Sequence, residues 1–304
     1  MSTPARPDLV CLGNFTIDDV VLPDGAERLN CTGGDALYAT LAARLWNSRC
    51  ELVAPVGNDL NPEIVSRIAL AGLGLEGMPT RPLPTLHNRV TYQDTGEREW
   101  TLYASDSAFD ILSPLPSDIP SAYRKAQAFL ILAMTLPAQQ RLVADLKASG
   151  AVVALDPQED YIAGAEAEIL RMISDVDIFM PSQVEVRRLT GCSDWTRAAR
   201  YFAEAGPKIV AIKLGADGSL IHDARVGSIV HVPAYPMTSV VDTTGAGDSY
   251  CGAFMAAYLD APHDLIGAAR VGAVAASFTI SGYGVDPLFE ATSEQLKRRL
   301  ENWS

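Results

Sequence analysis

Short apolar runs, each closed by Gly, Pro or Asp and followed by a helical pattern, recur along most of this chain, and that alternation limits the possible folds more than any other feature. Leu9-Val10-Cys11-Leu12 reads as a buried strand closed by Gly13. Gly33-Gly34 opens a helical stretch over 35–46, with Leu37, Leu41 and Leu45 on one face. Leu52-Val53-Ala54-Pro55-Val56 follows as a strand, then Phe129-Leu130-Ile131-Leu132, then a helix over about 138–148 that Ser149-Gly150 ends. Val152-Val153-Ala154-Leu155 stops at Asp156-Pro157, Ile178-Phe179-Met180 stops at Pro181, and Ile209-Val210-Ala211-Ile212 stops at Lys213-Leu214-Gly215. Such strands, separated by helices of about 10–15 residues, predict an α/β fold with a doubly wound, mostly parallel sheet flanked by helices. Ligands of such sheets bind beyond the carboxyl ends of the strands, which makes Gly13, Asp156, Pro181 and Gly215 candidate walls of a site.

Two segments, 16–31 and 79–103, break the rhythm and read as strands and turns without helix. Val90-Thr91-Tyr92-Gln93 and Glu99-Trp100-Thr101-Leu102-Tyr103 flank Asp94-Thr95-Gly96-Glu97, a hairpin signal with Gly in the loop. A few extra strands are too little for a domain of their own. They are expected to form a small flap over the ligand edge of the sheet, or a dimer contact. No internal repeat and no linker is visible.

Charge and cysteine usage exclude several functions. With 24 Lys+Arg against 37 Asp+Glu the formal net charge is -13, whereas a nucleic-acid or anionic-membrane binder needs a basic surface. An anionic substrate would therefore have to be held by something other than bulk charge. The five cysteines are scattered with no Cys-x-x-Cys spacing, and read as reduced thiols of a cytoplasmic protein. The four histidines form no zinc pattern. The apolar run at Leu9–Leu12 is too short for a signal-peptide core, and no run approaches the roughly 18 residues of a membrane span.

The chemistry is concentrated in Val240-Val241-Asp242-Thr243-Thr244-Gly245-Ala246-Gly247-Asp248-Ser249-Tyr250, followed by an apolar helix, Cys251 to Leu259. A Gly-Ala-Gly segment leading into a helix leaves several backbone N–H groups aimed at one spot, where the helix dipole adds positive charge. That is an anion site needing no basic side chain. Asp248, in the first turn, would stand beside the anion, where a carboxylate can take the proton of a hydroxyl about to attack phosphorus. The plainer alternative is a tight Gly turn with Asp as a cap, but a cap does not explain the two Thr and two Gly before it. A P-loop would need Gly-x-x-x-x-Gly-Lys-Ser/Thr, and Gly245-x-Gly247 runs on to Tyr250 rather than Gly, so the phosphate-loop and dinucleotide fingerprints both fail. No Gly-x-Ser-x-Gly elbow occurs.

The segment Asp242-Thr-Thr-Gly-Ala-Gly-Asp248 resembles the C-terminal signature of the ribokinase-like (PfkB) carbohydrate and nucleoside kinases, and other matches occur in the right order. Gly13-Asn14 with Asp18 is similar to the family's first strand end and substrate-binding Asp. Gly33-Gly34, opening a helix that closes on Ala-Ala-Arg44-Leu45, resembles its double-glycine motif. Val56-Gly57-x-Asp59, Asp156-Pro157, Met180-Pro181-Ser182-x-x-Glu185 and Ile212-Lys213-Leu214-Gly215-Ala216-Asp217-Gly218 resemble successive later segments. The likeness spans roughly 10–287 and implies one α/β domain over 1–304, with a β-strand lid from about 16–31 and 79–103.

The resemblance also implies roles. Asp248 would be the general base, and the backbones of Gly245, Ala246 and Gly247 the anion hole. Asp18, Gly33, Gly34, Tyr38 and Thr135 would stand on the substrate side, and Lys213, Gly215, Gly218 and Ser182 on the ATP side. Glu185 would organise Mg²⁺ through water, although its motif partner is Ser182 where the family has Asn. Asp242 and Thr244, with Ser281-Gly282-Tyr283-Gly284, are similar to the K⁺ site of some members. For Asp18, Glu185 and Lys213 the structural alternatives are a turn carboxylate and two solvated charges.

The substrate side departs from the ribokinase pattern. Tyr38 replaces a family Asn, Asp35 a Lys, and Met134-Thr135-Leu136-Pro137 a Glu. Changed polar contacts alter substrate choice and argue against ribose itself. Tyr38, Tyr92, Trp100 and Tyr103 offer stacking for a ring, or are ordinary packing. The implied activity is ATP-dependent phosphorylation of a small polyol, a sugar or sugar derivative, with a nucleoside or inositol as alternatives. A non-catalytic ligand-binding or regulatory protein on a kinase fold is a second class, and a nucleotide-dependent oxidoreductase a third. A monomer and a homodimer joined through the lid both remain open.

Overall fold

The computed structural model describes residues 6–93 and 98–303. The chain starts with β1 (Leu9–Leu12), leaves the main sheet for β2 (Thr16–Val21) and β3 (Glu27–Gly33), and returns through α1 (Asp35–Arg44) to β4 (Cys50–Val53). Short strands β5 (Val56–Gly57) and β6 (Thr80–Arg81) bracket α2 (Pro62–Leu70), and β7 (Leu86–Tyr92) and β8 (Arg98–Leu102) precede α3 (Asp106–Ile111). Strand and helix then alternate through β9 (Ala128–Ile131), α4 (Leu136–Leu146), β10 (Val152–Leu155), α5 (Glu166–Ile173), β11 (Ile178–Phe179), α6 (Gln183–Thr190), α7 (Trp195–Ala205) and β12 (Ile209–Lys213). The hairpin β13 (Ser219–Asp223) and β14 (Ser228–Val232) comes next, and α8 (Ala246–Asp260), α9 (Leu265–Thr279), α10 (Asp286–Glu290) and α11 (Ser293–Asn302) follow.

The main sheet has eight strands in the order β14-β13-β12-β11-β10-β9-β1-β4. From β12 to β4 every pairing is parallel, and β13 and β14 add an antiparallel edge. Both faces are buried, which is why the parallel strands read as unbroken apolar runs rather than alternating ones. Leu9, Cys11, Ala128 and Leu130 point into a core shared with α1, α8 and α9. Val10, Leu12, Phe129 and Ile131 point into the opposite core, filled by Leu142, Ile169, Val186 and Phe202 from α4, α5, α6 and α7. The chain winds from β1 to β4 on one side and from β9 to β12 on the other. The reversal lies between β1 and β9, and ligand sites of such sheets are found there.

The two irregular segments form a separate four-stranded sheet, β3-β2-β7-β8, in which β2 and β7 run parallel. The hairpin expected between Val90 and Tyr103 is present as β7 paired with β8, and its loop, 94–97, lies outside the described residues. Strand β3 runs through Gly33 directly into Gly34 and α1, so this sheet is anchored at the ligand edge of the main one.

Several boundaries differ from expectation. The helix expected at 138 begins at Leu136, because Thr135 caps it and Pro137 fits the first turn, where no N–H is needed. The helix expected to reach 46 ends at Arg44, where the Leu45 and Trp46 N–H groups turn back to Ala42 and Ala43 in a tighter spiral. The strand expected over 52–56 is split at Ala54-Pro55, and Val56 pairs with Thr80 instead. No helix among the described residues is long and apolar enough to cross a membrane. Phe254 of α8, fully buried against the main sheet, tests the packing that holds the site helix. Phe254→Ala is expected to cost about 3–5 kcal/mol, read as a lowered urea midpoint with unchanged slope.

Candidate active site

Helix α8 begins at Gly245, which sits in the left-handed region at φ 75° and ψ 0°, and no side chain caps it. An added Cβ at Gly245 would lie 2.4 Å from the Tyr38 ring, so glycine is required both by the backbone and by the close approach. The Ala246 N–H turns back to the Thr243 carbonyl at 3.3 Å, closing the turn that aims the helix. The first-turn N–H groups of such a helix have no intrahelical partner. Asp248 lies in this first turn; burial raises the pKa of Asp35, Tyr38, Cys11 and Cys251, and the nearby Asp248 charge adds to the rise in each.

Opposite stands the double glycine. Gly34 caps α1 at φ 105°, and a Cβ there would meet the Asn14 carbonyl at 2.5 Å. Gly33 packs on Asp18, whose Oδ2 would be 2.3 Å from an added Cβ. Asp18 is 3% exposed. It accepts hydrogen bonds from Thr16 Oγ1 at 3.0 Å and from Asn88 Nδ2 at 3.1 Å. Burial pushes its carboxyl up to about 6, with Asp242 adding to the rise and the two hydrogen bonds holding it back. Tyr38 is buried, its hydroxyl finds no partner in the protein, and burial together with Asp18, Asp242 and Asp248 holds its pKa well above the usual value.

The third wall is the end of β10, β11 and β12. Lys213 is mostly covered rather than solvated, with its side chain 12% exposed, and its Nζ donates to Asp156 and lies 3.6 Å from Cys251 Sγ. Burial opposes the lysine's charge, but Asp156, Cys251 and Glu185 outweigh it and hold its pKa above the ordinary value. An added Cβ on Gly247 would be 3.6 Å from Nζ, so the ammonium stands beside the start of α8. Ser182 caps α6 and accepts from the Glu185 N–H, while the buried Glu185 carboxylate accepts from the Ser182 N–H. Burial and the neighbouring Asp156 raise Glu185 well above the usual carboxylate range. Gly215 and Gly218, both at positive φ, make the turn after Lys213, and Leu214 N–H donates to the Gly218 carbonyl at 2.8 Å.

The structure thus gathers Asp18, Gly33, Gly34, Tyr38, Asp242, Thr244 to Gly247 and Asp248 around one place, with Lys213, Ser182, Glu185, Gly215 and Gly218 along its flank. Thr135 is committed elsewhere: its Oγ1 donates to Asp110 at 2.6 Å and caps α4. Asp242 Oδ1 accepts from Thr244 N–H at 2.8 Å, while Asp242 Oδ2 and Thr244 Oγ1 are buried without partners in the protein. The late loop comes near, since Val241 N–H donates to Ile280 at 2.9 Å. Tyr103 is 55% exposed and meets His87 edge-on, and Trp100 is also exposed.

Sequence reasoning missed several members. Asn88 holds Asp18 from β7, and its Oδ1 is buried without a partner. Tyr92, noted only as a stacking ring, uses its hydroxyl on the Asp242 loop. Asp156 was marked as a strand end and proves to be the counter-ion of Lys213. Strand-end position was the signal for Asp156; nothing local marked Asn88, whose pairing partner Asp18 lies 70 positions away.

The model of the pfkB family of carbohydrate kinases matches residues 7–291. A cytidine kinase of Thermococcus kodakarensis is 31% identical over 83% of this chain and 88% of its own length. A nucleoside kinase of Methanothermobacter thermautotrophicus is 26% identical over 97% of this chain and 96% of its own. A ribokinase II candidate from E. coli, solved with ATP and Mg²⁺, superposes with a TM-score of 0.77 at 22% identity, covering 97% of this chain and 99% of that one, which shows the shared fold. With a match that runs through both glycine motifs and the helix bearing Asp248, this chain belongs to the pfkB family of carbohydrate kinases, transferases that act on hydroxyl groups.

Proposed function

We propose that this kinase transfers the γ-phosphoryl group of ATP to a hydroxyl of a small neutral polyol, and that a nucleoside is the acceptor. The observation that carries the reading is that Asp248, on an uncapped helix start, and the buried Asp18 both lie close enough to Tyr38 and Asp35 to act on their ionisation. Asp248 accepts the proton of the attacking hydroxyl, and the backbone N–H groups at the start of α8 hold the negative charge that develops on the phosphoryl oxygens. Lys213, kept protonated by Asp156, brings a fixed positive charge to the same place. Asp18, when ionised, accepts hydrogen bonds from acceptor hydroxyls. Asp18, Asp242 and Asp248, when ionised, would repel an acceptor that already carries a phosphate or carboxylate. Similarity to the cytidine and nucleoside kinases supports a nucleoside over a free sugar.

The residues present fit a nucleotide with its metal. The Gly245–Gly247 cradle beside Lys213 suits phosphate, and the buried Glu185 suits a water-linked Mg²⁺, which neutralises charge between the phosphates when bound. The two unpartnered oxygens, Asp242 Oδ2 and Thr244 Oγ1, are hard donors of the kind K⁺ takes. The sheet β3-β2-β7-β8, which supplies Asp18 and Asn88, serves as the lid over the acceptor.

Two measurements test this reading. Asp248→Asn is expected to lower kcat by about 10²–10⁴ through loss of the base with an unchanged circular dichroism spectrum; near-normal turnover would sink the assignment. Asp18 has to be ionised to accept from the acceptor, and its folded value near 6 puts that loss well above the ordinary carboxylate range. The KM for the acceptor should therefore climb about tenfold per pH unit below 6, while the KM for ATP stays level. Asp18→Asn should remove this limb, and an acceptor KM flat down to pH 5 would refute the role.

A further inference from the structure

Strand β7 is bound at two points to different parts of the site. Its inward face carries Leu86, Asn88 and Val90 at every second residue, with Tyr92 next on the same face. Asn88 is paired in register with Asp18 and donates to its carboxylate. Four residues on, about 13 Å along a strand, the Tyr92 hydroxyl donates to Asp242 Oδ1 at 2.6 Å and accepts the Thr243 N–H at 2.9 Å. Thr243 Oγ1 lies 3.1 Å from the same hydroxyl. Thr243 is thus gripped from both sides, its N–H on Tyr92 and its carbonyl on the Ala246 N–H, the first residue of α8. Asp242 Oδ1 is shared between Tyr92 and the Thr244 N–H. The phenol, both donor and acceptor here, is one hydrogen bond from the residue that sets the turn into the helix.

We propose that Tyr92 is a positioning residue for phosphoryl transfer: from the sheet that holds Asp18 it fixes Asp242 and Thr243, and through them the direction in which the first-turn N–H groups of α8 point. This rests on the assignment of α8 as the phosphoryl site. The Tyr92 hydroxyl is committed to Asp242 and Thr243, so removing it while keeping the ring should act on the transferring step and not on binding. Displacement of a reacting group by about 1 Å can cost about 10²-fold in rate, so a loosened turn is expected to be expensive.

The test compares the parent, Tyr92→Phe, Asp242→Asn and the double variant, with Mg-ATP and a panel of nucleosides and sugars. Tyr92→Phe keeps the ring and its packing. It is expected to lower kcat by about 10- to 100-fold with both KM values little changed. In the Asp242→Asn background the same change should cost much less, because the two residues act through one contact. Val90→Ala, on the same face of β7, should lower the melting temperature while leaving kcat near the parent value. An unchanged kcat in Tyr92→Phe, a rise confined to the acceptor KM, full additivity with Asp242→Asn, or an equal kcat loss in Val90→Ala would overturn the proposal. A parent that phosphorylates no member of the panel overturns the function proposed above as well, whereas an active parent matched by Tyr92→Phe overturns this inference alone.

Discussion

The close packing of α1 against α8 is the contact on which the site depends. An added Cβ on Gly252 of α8 would stand 2.0 Å from the Ala39 carbonyl of α1, and Gly245 rests against the ring of Tyr38, the residue before Ala39. One helix begins at the double glycine, the other at the anion-binding turn. Interiors packed to crystal density deform little, so the distance between acceptor side and base is set by this contact rather than by loops. Helix α9 fixes α8 from its other side, where Thr279 Oγ1 donates to Ser249 Oγ at 2.7 Å. The Tyr250 hydroxyl donates to Ser219 Oγ of β13 at 2.8 Å.

A chain with a net charge of -13 can serve as a phosphate-transferring enzyme because charge is arranged locally. The start of α8 offers dipole and N–H groups rather than mobile basic side chains. Lys213 adds a cation, but one already paired with Asp156 in the interior, so its position is held by geometry as much as by attraction. Pairs of this kind gain little net stability, since desolvation offsets their attraction, and removing one partner leaves the other stranded. In the function proposed, Asp18, carried by the separate sheet, would face the neutral acceptor, while the start of α8 would face the polyanion.

Much of this was legible in the sequence. The apolar runs identified six of the strands that became the parallel core, and the Asp242–Asp248 segment marked the site helix. The edge hairpin went unread, although Leu220-Ile221-His222 and Ile229-Val230-His231-Val232 flank a turn at Gly227 with φ 70°. Only β14 is an exposed edge strand; β13 is buried along its length, but His222 and its flanking Ser219 and Asp223 break the purely apolar run seen in the parallel strands. Thr135 stands among the substrate contacts only through the family resemblance; in the structure its hydroxyl donates to Asp110 and caps α4. Glu185 was read as a metal organiser or a solvated charge; its place three residues after Ser182 was a capping-box signal as well, and the structure uses it so.

By itself the sequence determined the periodicity that makes a doubly wound sheet, the glycines at the two helix starts, and the carboxylate in the first turn of α8. These are local properties: burial on both faces demands apolar strands, positive φ demands glycine, and a helix start attracts anions whatever lies around it. Only the tertiary structure decided that Lys213 pairs with Asp156, that Asn88 holds Asp18, and that Tyr92 reaches a loop 150 positions away. Each of those joins residues on different elements, and the partner of a polar side chain is fixed by strand order and register, which no local spacing encodes.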